Sequence, residues 1–255
     1  MDLRLPTEGL QNYKSASQRA RVGTEAWGAA NFFCPCCQSP YLRPLPQGTA
    51  AVDYFCPSCD SPFQLKSQSK PLGSKIVDAA YSEMKRAILE DRTPNLFLLH
   101  YDLETWAVRS VLLVPRFAFA LSTLEKRPPL GPNARRAGWV GCNILLDKIP
   151  VHARISIVNE GTPQSPREVR RSYNRLRPLE KLKVENRGWT LDVLQVVQAL
   201  GKMDFTLADV YAQADALARL HPQNAHVRDK IRQQLQVLRN LGLLEFLGSG
   251  CYRLR

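Results

Sequence analysis

The spacing of apolar residues along the 255-residue chain changes several times, and each change predicts a new element. Residues 11–30 carry Tyr13, Ala16, Ala20, Val22 and Trp27 as one face of a helix, with Arg19, Arg21 and Glu25 on the other. Val52–Phe55 and Phe63–Lys66 are short runs separated by Pro57, Ser58, Asp60, Ser61 and Pro62, which predicts a hairpin. From Ser74 to Glu90, Ile76, Ala79, Ala80, Met84, Ala87 and Ile88 recur at helical spacing, with Ser74 as the cap. Asn95–Tyr101 and Ala107–Val114 are unbroken apolar runs of the kind found in buried strands, and His100 falls in the first as a core or rim histidine. Ala153–Val158 alternates like a further strand. Strand, helix, strand, strand in this order predicts an α/β sheet with helices packed on it.

Helical periodicity then takes over. Thr190 is placed to cap a helix reaching Leu200, with Leu191, Leu194 and Val197 inside. Thr206 to Asp209 forms a capping box, with Asp in the position usually held by Glu, and opens a second helix. His226–Arg239 is the third: Val227, Ile231, Leu235 and Leu238 make its core stripe, while Arg228, Arg232, Gln233 and Gln236 face outward. Gly242 stops it, and residues 243–254 read as a hairpin turning at Gly248 and Gly250. Three helices and a terminal hairpin is the winged-helix plan, whose third helix enters the major groove of DNA. Arg and Gln are the side chains that read guanine and adenine edges. Residues 160–186, rich in Pro, Arg, Ser and Lys, are either a linker or a basic element lying along DNA.

Charge supports a polyanionic partner. Lys and Arg number 35 against 23 Asp and Glu, a formal net charge of +12. Residues 126–187 alone hold 14 basic against 5 acidic residues, or +9. The start of the chain lacks a long apolar run, and nothing approaches membrane-spanning length, so an intracellular, cytoplasmic protein is expected. In a reducing compartment, seven cysteines argue for metal binding over disulfides.

Four of those cysteines form two knuckles, Cys34-x-x-Cys37 and Cys56-x-x-Cys59, about twenty residues apart. Two tight turns of this kind supply the four thiolates of a closed, tetrahedral structural zinc site. Cys36 competes with its neighbours, but the two-residue gap favours the outer pair. Cys142 and Cys251 lack ligand partners and read as inert. The second knuckle sits at the tip of the hairpin, so zinc would pin the strands that bring Asp53 beside Gln64 and Lys66, which share a face. This metal-and-lysine constellation is the candidate active site, with Glu25 a further acidic candidate whose plainer role is a solvated helix residue. Between sheet elements, Asn133–Asn143 holds Arg135, Arg136, two glycines and Trp139. Arginines suit phosphates, glycines permit close backbone approach, and Trp139 either offers its face to a base or methyl group or covers the sheet edge.

The order of the two Cys-x-x-Cys knuckles, Ala51-Val-Asp53, Leu65-Lys66, Arg135-Arg-Ala-Gly-Trp139, Arg187-Gly-Trp-Thr190 and Lys230-Ile-Arg-Gln-Gln-Leu-Gln resembles the DpnI-type, or Dam-replacing, family of methyl-directed restriction endonucleases. The resemblance spans nearly the whole chain. It implies a PD-(D/E)xK nuclease domain with a structural zinc over residues 1–183 and a winged-helix domain over 184–255, acting as a monomer on adenine-methylated double-stranded DNA. The implied reaction is hydrolysis at GATC sites bearing N6-methyladenine. It uses Mg²⁺, with Mn²⁺ as the alternative, held by Asp53, position 64 and the Leu65 carbonyl, while Lys66 orients the attacking water. Trp139 is drawn towards the methyl groups. One position departs from the family: Gln64 stands where the motif has a second carboxylate, lending an oxygen but no charge. Weaker metal binding and slower cutting follow from that, and a methyladenine reader without cleavage is the alternative. A zinc and winged-helix transcription regulator indifferent to methylation is the third reading, by fold analogy only.

Overall fold

A computed structural model describes residues 1–46, 48–49 and 51–255. Met1–Gly73 carries α1 (Ala16–Asn31), β1 (Arg43–Pro44), β2 (Tyr54–Phe55) and β3 (Pro62–Gln68); Ser74–Thr93 carries β4 (Lys75–Ala80) and α2 (Tyr81–Leu89). Pro94–Arg116 holds β5 (Asn95–Asp102) and β6 (Ala107–Val114), and Phe117–His152 holds β7 (Leu124–Lys126) and β8 (Gly141–Leu145). Next come β9 (Ile155–Asn159), β10 (Thr162–Pro163) and α3 (Pro166–Leu176). The last stretch has α4 (Val184–Ala199), β11 (Asp204–Thr206), α5 (Leu207–Tyr211), α6 (Ala214–Leu220), α7 (Val227–Asn240), β12 (Leu244–Gly248) and β13 (Cys251–Leu254). These segments gather into two compact units that do not follow chain order. One comprises Met1–Gly73, Pro94–Arg116 and Ala153–Asn174; the other comprises Ser74–Thr93, Phe117–His152 and Arg175–Arg255.

The first unit is built on a seven-stranded mixed sheet, β1-β2-β3-β5-β6-β9-β10, in which only β3 and β5 run parallel. The two apolar runs expected to be strands are β5 and β6, the second with the expected bounds. An aromatic cluster fixes α1 on this sheet. Phe32, just past the helix end, stacks on Phe97 at 4.0 Å and meets Trp27 and Tyr54 edge-on; Phe63 stacks on Phe97 at 5.3 Å. Of the expected apolar face of α1, Trp27 alone is in the buried stripe. That stripe consists of Gly23, Thr24, Trp27 and Gly28, while Tyr13 precedes the helix and Ala16 is exposed. Small residues win because the helix approaches closely. Thr24 and Ser67 share a hydroxyl hydrogen bond of 3.0 Å, and a Cβ on Gly28 would lie 2.5 Å from the Tyr54 hydroxyl.

The second unit corrects a helix expectation. Ser74–Glu90 is not one helix: its first half is strand β4, paired antiparallel with β8 in a sheet ordered β4-β8-β7. Ile76 and Asp78 point in and Val77 out, so the true period there is two. The inward Asp78 broke the apolar alternation and hid it. Residues 160–186 are not a linker either, since α3 is a regular helix that buries Val169, Tyr173 and Leu176.

The C-terminal part holds four helices and a three-stranded sheet, β11-β13-β12, where three helices and a hairpin were expected. The stretch opened by Thr206 breaks into α5 and α6 after only five residues of α5. Its capping box is as expected: the Thr206 hydroxyl accepts from the Asp209 N–H at 3.2 Å, and Asp209 accepts from the Thr206 N–H at 2.8 Å. The core stripe of α7 is Ile231, Gln234, Leu235 and Leu238. Gln234 is buried because the Thr190 hydroxyl on α4 donates to its amide oxygen at 2.6 Å. Asp192 on α4 is likewise buried and satisfied, accepting from Ser122 at 2.5 Å and meeting His221 at 2.9 Å, where Trp189 stacks on the imidazole. At the hairpin tip Ser249 and Gly250 both have positive φ, as a two-residue turn between twisted strands requires.

Two stability outcomes follow. Gly to Ala in a helix interior gains about 1 kcal/mol elsewhere. Gly28→Ala instead drives a methyl into Tyr54 and Phe32 and is expected to lose about 1–3 kcal/mol, read as a lower urea midpoint. The Thr206 N–H, the Thr206 hydroxyl and Lys202 bring the Asp209 carboxyl down to about 2. Because the folded value lies below the unfolded one, this contribution is present above about pH 4 and fades as pH falls towards about pH 2. The difference in Tm between the parent and Asp209→Asn should shrink over that interval, and a constant difference would place the effect elsewhere.

Candidate active site and metal centre

The four knuckle cysteines come together. The Cys34 and Cys59 sulfurs are 3.7 Å apart, those of Cys37 and Cys56 are 3.5 Å apart, and all four lie within 4.8 Å of one another. A tetrahedral zinc with bonds of about 2.3 Å needs sulfurs about 3.8 Å apart, so this cluster could hold a zinc ion. The surroundings treat the thiols unequally: the Cys36 side chain and burial push Cys34 up, and burial pushes Cys59 up. The Ser39 N–H points at Cys37 Sγ and the Ser58 N–H at Cys56 Sγ, each at 3.4 Å. Burial opposes ionisation of Cys56, but the Ser58 N–H and the neighbouring thiols bring it down to about 7. Cys36 is not one of the four: it sits beside Cys34, and the Asn95 amide donates to its sulfur at 3.8 Å. Among the described residues this is the only group of three or more His, Cys, Asp or Glu side chains gathered closely enough for a metal.

The clustered knuckles bracket Asp53. Its N–H donates to the Phe63 carbonyl at 2.8 Å, and its own carbonyl accepts from Leu45 N–H at 2.9 Å, so its backbone is held on both sides. Continuing the β2–β3 register by one residue sets Asp53 opposite Gln64. The carboxylate is fixed as well, taking the Leu65 N–H at 2.6 Å. Gln64 and Lys66 lie on the face of β3 opposite Phe63, and the Lys66 charge reaches Asp53. Glu25 joins them. Arg21, Glu25, Val52, Asp53 and Tyr54 line a single cavity of about 60 Å³, and the Tyr54 hydroxyl donates to the Glu25 carbonyl at 2.7 Å.

Electrostatics in this cavity are those of two partly desolvated acids. Burial raises the Asp53 carboxyl above the ordinary range, against the Leu65 N–H, Lys66 and Arg21, which lower it. Glu25 is also raised, first by burial and then by the Asp53 charge, with Arg21 opposing at 3.9 Å. Partly desolvated carboxylate oxygens suit a hard divalent cation.

The expected DNA-facing residues lie in the other unit. Arg135 and Arg136 are exposed in the loop before β8, and Trp139 is half-buried with its ring against Gly141, where a Cβ would be 2.8 Å away. The Arg136 guanidinium lies 5.5 Å from the Trp139 ring centre. Arg228, Arg232, Gln233 and Gln236 are all exposed on α7. Among the described residues no helix is long and apolar enough to cross a membrane.

Three supporting residues were missed in the sequence. Arg170 on α3 donates to the carbonyls of Cys34 at 3.0 Å and Ser39 at 2.9 Å, and lies over Phe33. Nothing distinguished it from the other arginines of residues 160–186. Asn95 bonds Cys36, the Pro62 carbonyl and the Arg116 N–H, and Tyr173 donates to it, tying the knuckles to β5. A polar residue opening an otherwise apolar strand was its only signal. Arg21, on the polar face of α1, is the charge shared by Glu25 and Asp53.

The Dam-replacing family profile of DpnI matches residues 1–182, and the Dam-replacing HTH domain profile matches residues 185–254. The matches carry a methyl-directed role on DNA, of the restriction-endonuclease class, with a C-terminal DNA-binding domain behind a mixed α/β domain. The chain belongs to the Dam-replacing, DpnI-type family.

Proposed function

We propose that this protein is a type II restriction endonuclease that hydrolyses double-stranded DNA at GATC sites carrying N6-methyladenine. Residues 1–183 form its PD-(D/E)xK nuclease domain and 184–255 its winged-helix domain, acting as a monomer in the cytoplasm. The observation that carries the reading is the pairing of Asp53 and Glu25 in one small cavity, within reach of Lys66, in a member of this family. Glu25 takes the role of the carboxylate that Gln64 does not supply.

The donor set fits Mg²⁺. The Asp53 and Glu25 carboxylates, the Gln64 amide oxygen and the Leu65 carbonyl would hold it, and Mn²⁺ would suit the same oxygens. Bound there, the ion supplies positive charge that polarises the scissile phosphate. The protein does the rest. Asp53 is pre-set by the Leu65 N–H and its backbone bonds, so no reorganisation accompanies the reaction. Lys66 orients the attacking water against the phosphate. Arg135 and Arg136 hold the DNA backbone, Trp139 faces the methyl groups, and Arg228, Arg232, Gln233 and Gln236 read base edges. Zinc on Cys34, Cys37, Cys56 and Cys59 is structural and holds the strands that carry Asp53.

Cutting is tested with one plasmid grown in methylating and non-methylating hosts, digested with Mg²⁺ or Mn²⁺. Only the methylated plasmid should be cut. Asp53→Asn and Lys66→Ala should lower the rate on the order of a thousandfold, about 4 kcal/mol of barrier, while leaving methylated-duplex binding in place. Glu25→Gln should fall with them, and Gln64→Glu should gain about tenfold. Gln64 also favours a second reading, a methyladenine reader that does not cut. Methyl-dependent binding with no cleavage by the parent, and cleavage restored by Gln64→Glu, would select it.

The metal is tested by zinc content and circular dichroism. Cys37→Ser or Cys56→Ser should lose zinc and unfold, because metal binding and folding are coupled at such a site. Cys36→Ser should keep its zinc. Zinc retained in the first two, or lost in the third, would overturn the ligand assignment.

A further inference from the structure

Arg228 and Arg232 are four residues apart on α7, which places them on one face of the helix. Two like charges so spaced repel each other and would splay in water. Both are instead gathered on one ring that belongs to a different helix. The Arg228 guanidinium carbon lies 5.3 Å from the centre of the Tyr211 ring and that of Arg232 lies 5.8 Å from it. Both distances are within cation–π range. The Arg232 Nε–H also donates to the Tyr211 hydroxyl. Tyr211 ends α5, and its place there depends on the break between α5 and α6.

We propose that Tyr211 is a positioning residue that holds Arg228 and Arg232 as a pre-oriented pair for DNA. The proposal rests on the reading of α7 as the DNA-contacting helix. It treats the two arginines differently. With Nε engaged on the tyrosine hydroxyl, Arg232 presents the end-on edge formed by its two terminal nitrogens, a fork that matches the two acceptors of guanine or two phosphate oxygens. Arg228 is held by the ring face alone and keeps all its donors for the ligand. Without Tyr211, both flexible side chains would have to be ordered at the moment of binding, at a cost in rotamer freedom.

The experiment uses the full chain without divalent metal and measures fluorescence anisotropy on a methylated GATC duplex and on a methylated duplex of scrambled sequence. The variants are Tyr211→Phe, Tyr211→Leu, Arg228→Ala, Arg232→Ala and the four Tyr/Arg double variants. Tyr211→Leu should reduce the preference for the GATC duplex by about fivefold, the size expected from losing two exposed cation–π contacts. Tyr211→Phe keeps the ring and removes the hydroxyl. Its smaller loss should vanish in the Arg232→Ala background and persist in the Arg228→Ala background. A purely structural tyrosine would lower Tm and act alike in both backgrounds. If Tyr211→Leu fails to fold, Tyr211→Phe decides through the same two backgrounds. If both tyrosine variants keep full preference while Arg228→Ala and Arg232→Ala lose it, Tyr211 does not position them and the reading of α7 stands. If the two arginine variants themselves bind and discriminate like the parent, the reading of α7 falls and the role of Tyr211 falls with it.

Discussion

The candidate site depends on holding two very short strands in place. β1 and β2 contain two residues each, far too few to stabilise a ladder on their own, yet Asp53 is suspended between them and β3. What fixes them lies on either side. Below is the ring cluster around Phe32, which packs on Trp27, Tyr54 and Phe97 and so joins helix, knuckle loop and sheet through one side chain. Beyond the strands is the four-thiol cluster, which joins the loop after α1 to the tip of the hairpin. Arg170 then donates to the Cys34 and Ser39 carbonyls, and Asn95 to the Pro62 carbonyl, which ties the knuckles to α3 and β5. A carboxylate held in this way keeps its direction, and burial raises it above the ordinary range in spite of the Lys66 and Arg21 charges.

Much of this was legible in the sequence, and the failures share a cause. The cysteine spacing marked the cluster because thiol geometry depends on local turns, and local turns are written in local sequence. The apolar runs of β5 and β6 declared themselves, and so did the capping box at Thr206, each a short-range pattern. β4 did not, since Asp78 occupies an inward position and spoils the alternation. The face of α1 did not, since Gly23 and Gly28 are buried for their lack of a side chain, which apolar counting scores as nothing. Gln234 had no place in the expected core stripe and is a core residue whose partner, Thr190, lies 44 positions away. Tertiary pairing decided each of these, and no window of sequence contains it.

Glu25 shows the same limit at the site. On its helix it is one polar residue among several, paired loosely with Arg21. Only the fold brings it to the cavity of Asp53, where burial and then the Asp53 charge raise its cost of ionisation. A protein gains no stability from two half-buried acids facing each other, so their proximity reads as a feature retained for what binds between them. It also gives the loss of charge at Gln64 a different weight. If the net charge offered to a cation matters more than which strand offers it, a glutamate on α1 and a neutral amide on β3 can together approach the donor set of two carboxylates. The remaining difference is reach, because a helix side chain comes in from a different direction than one on β3.

In the C-terminal domain, polarity is buried where it fixes α7. Thr190 and Gln234 pair inside the core between α4 and α7, and an apolar pair of similar volume would pack there without preferring one rotation of the helix. A hydrogen bond with a single satisfactory geometry removes that freedom. The rotation of α7 about its axis determines which of its residues face outward, so a buried amide sets the direction of Arg228, Arg232, Gln233 and Gln236 before any ligand arrives. Tyr211 extends the same logic from backbone to side chain. The core fixes the helix, and the ring fixes the guanidiniums that the helix carries. Sequence-specific contact needs both, because a side chain that is free to rotate neutralises a phosphate as well as an ordered one does, but discriminates poorly between bases.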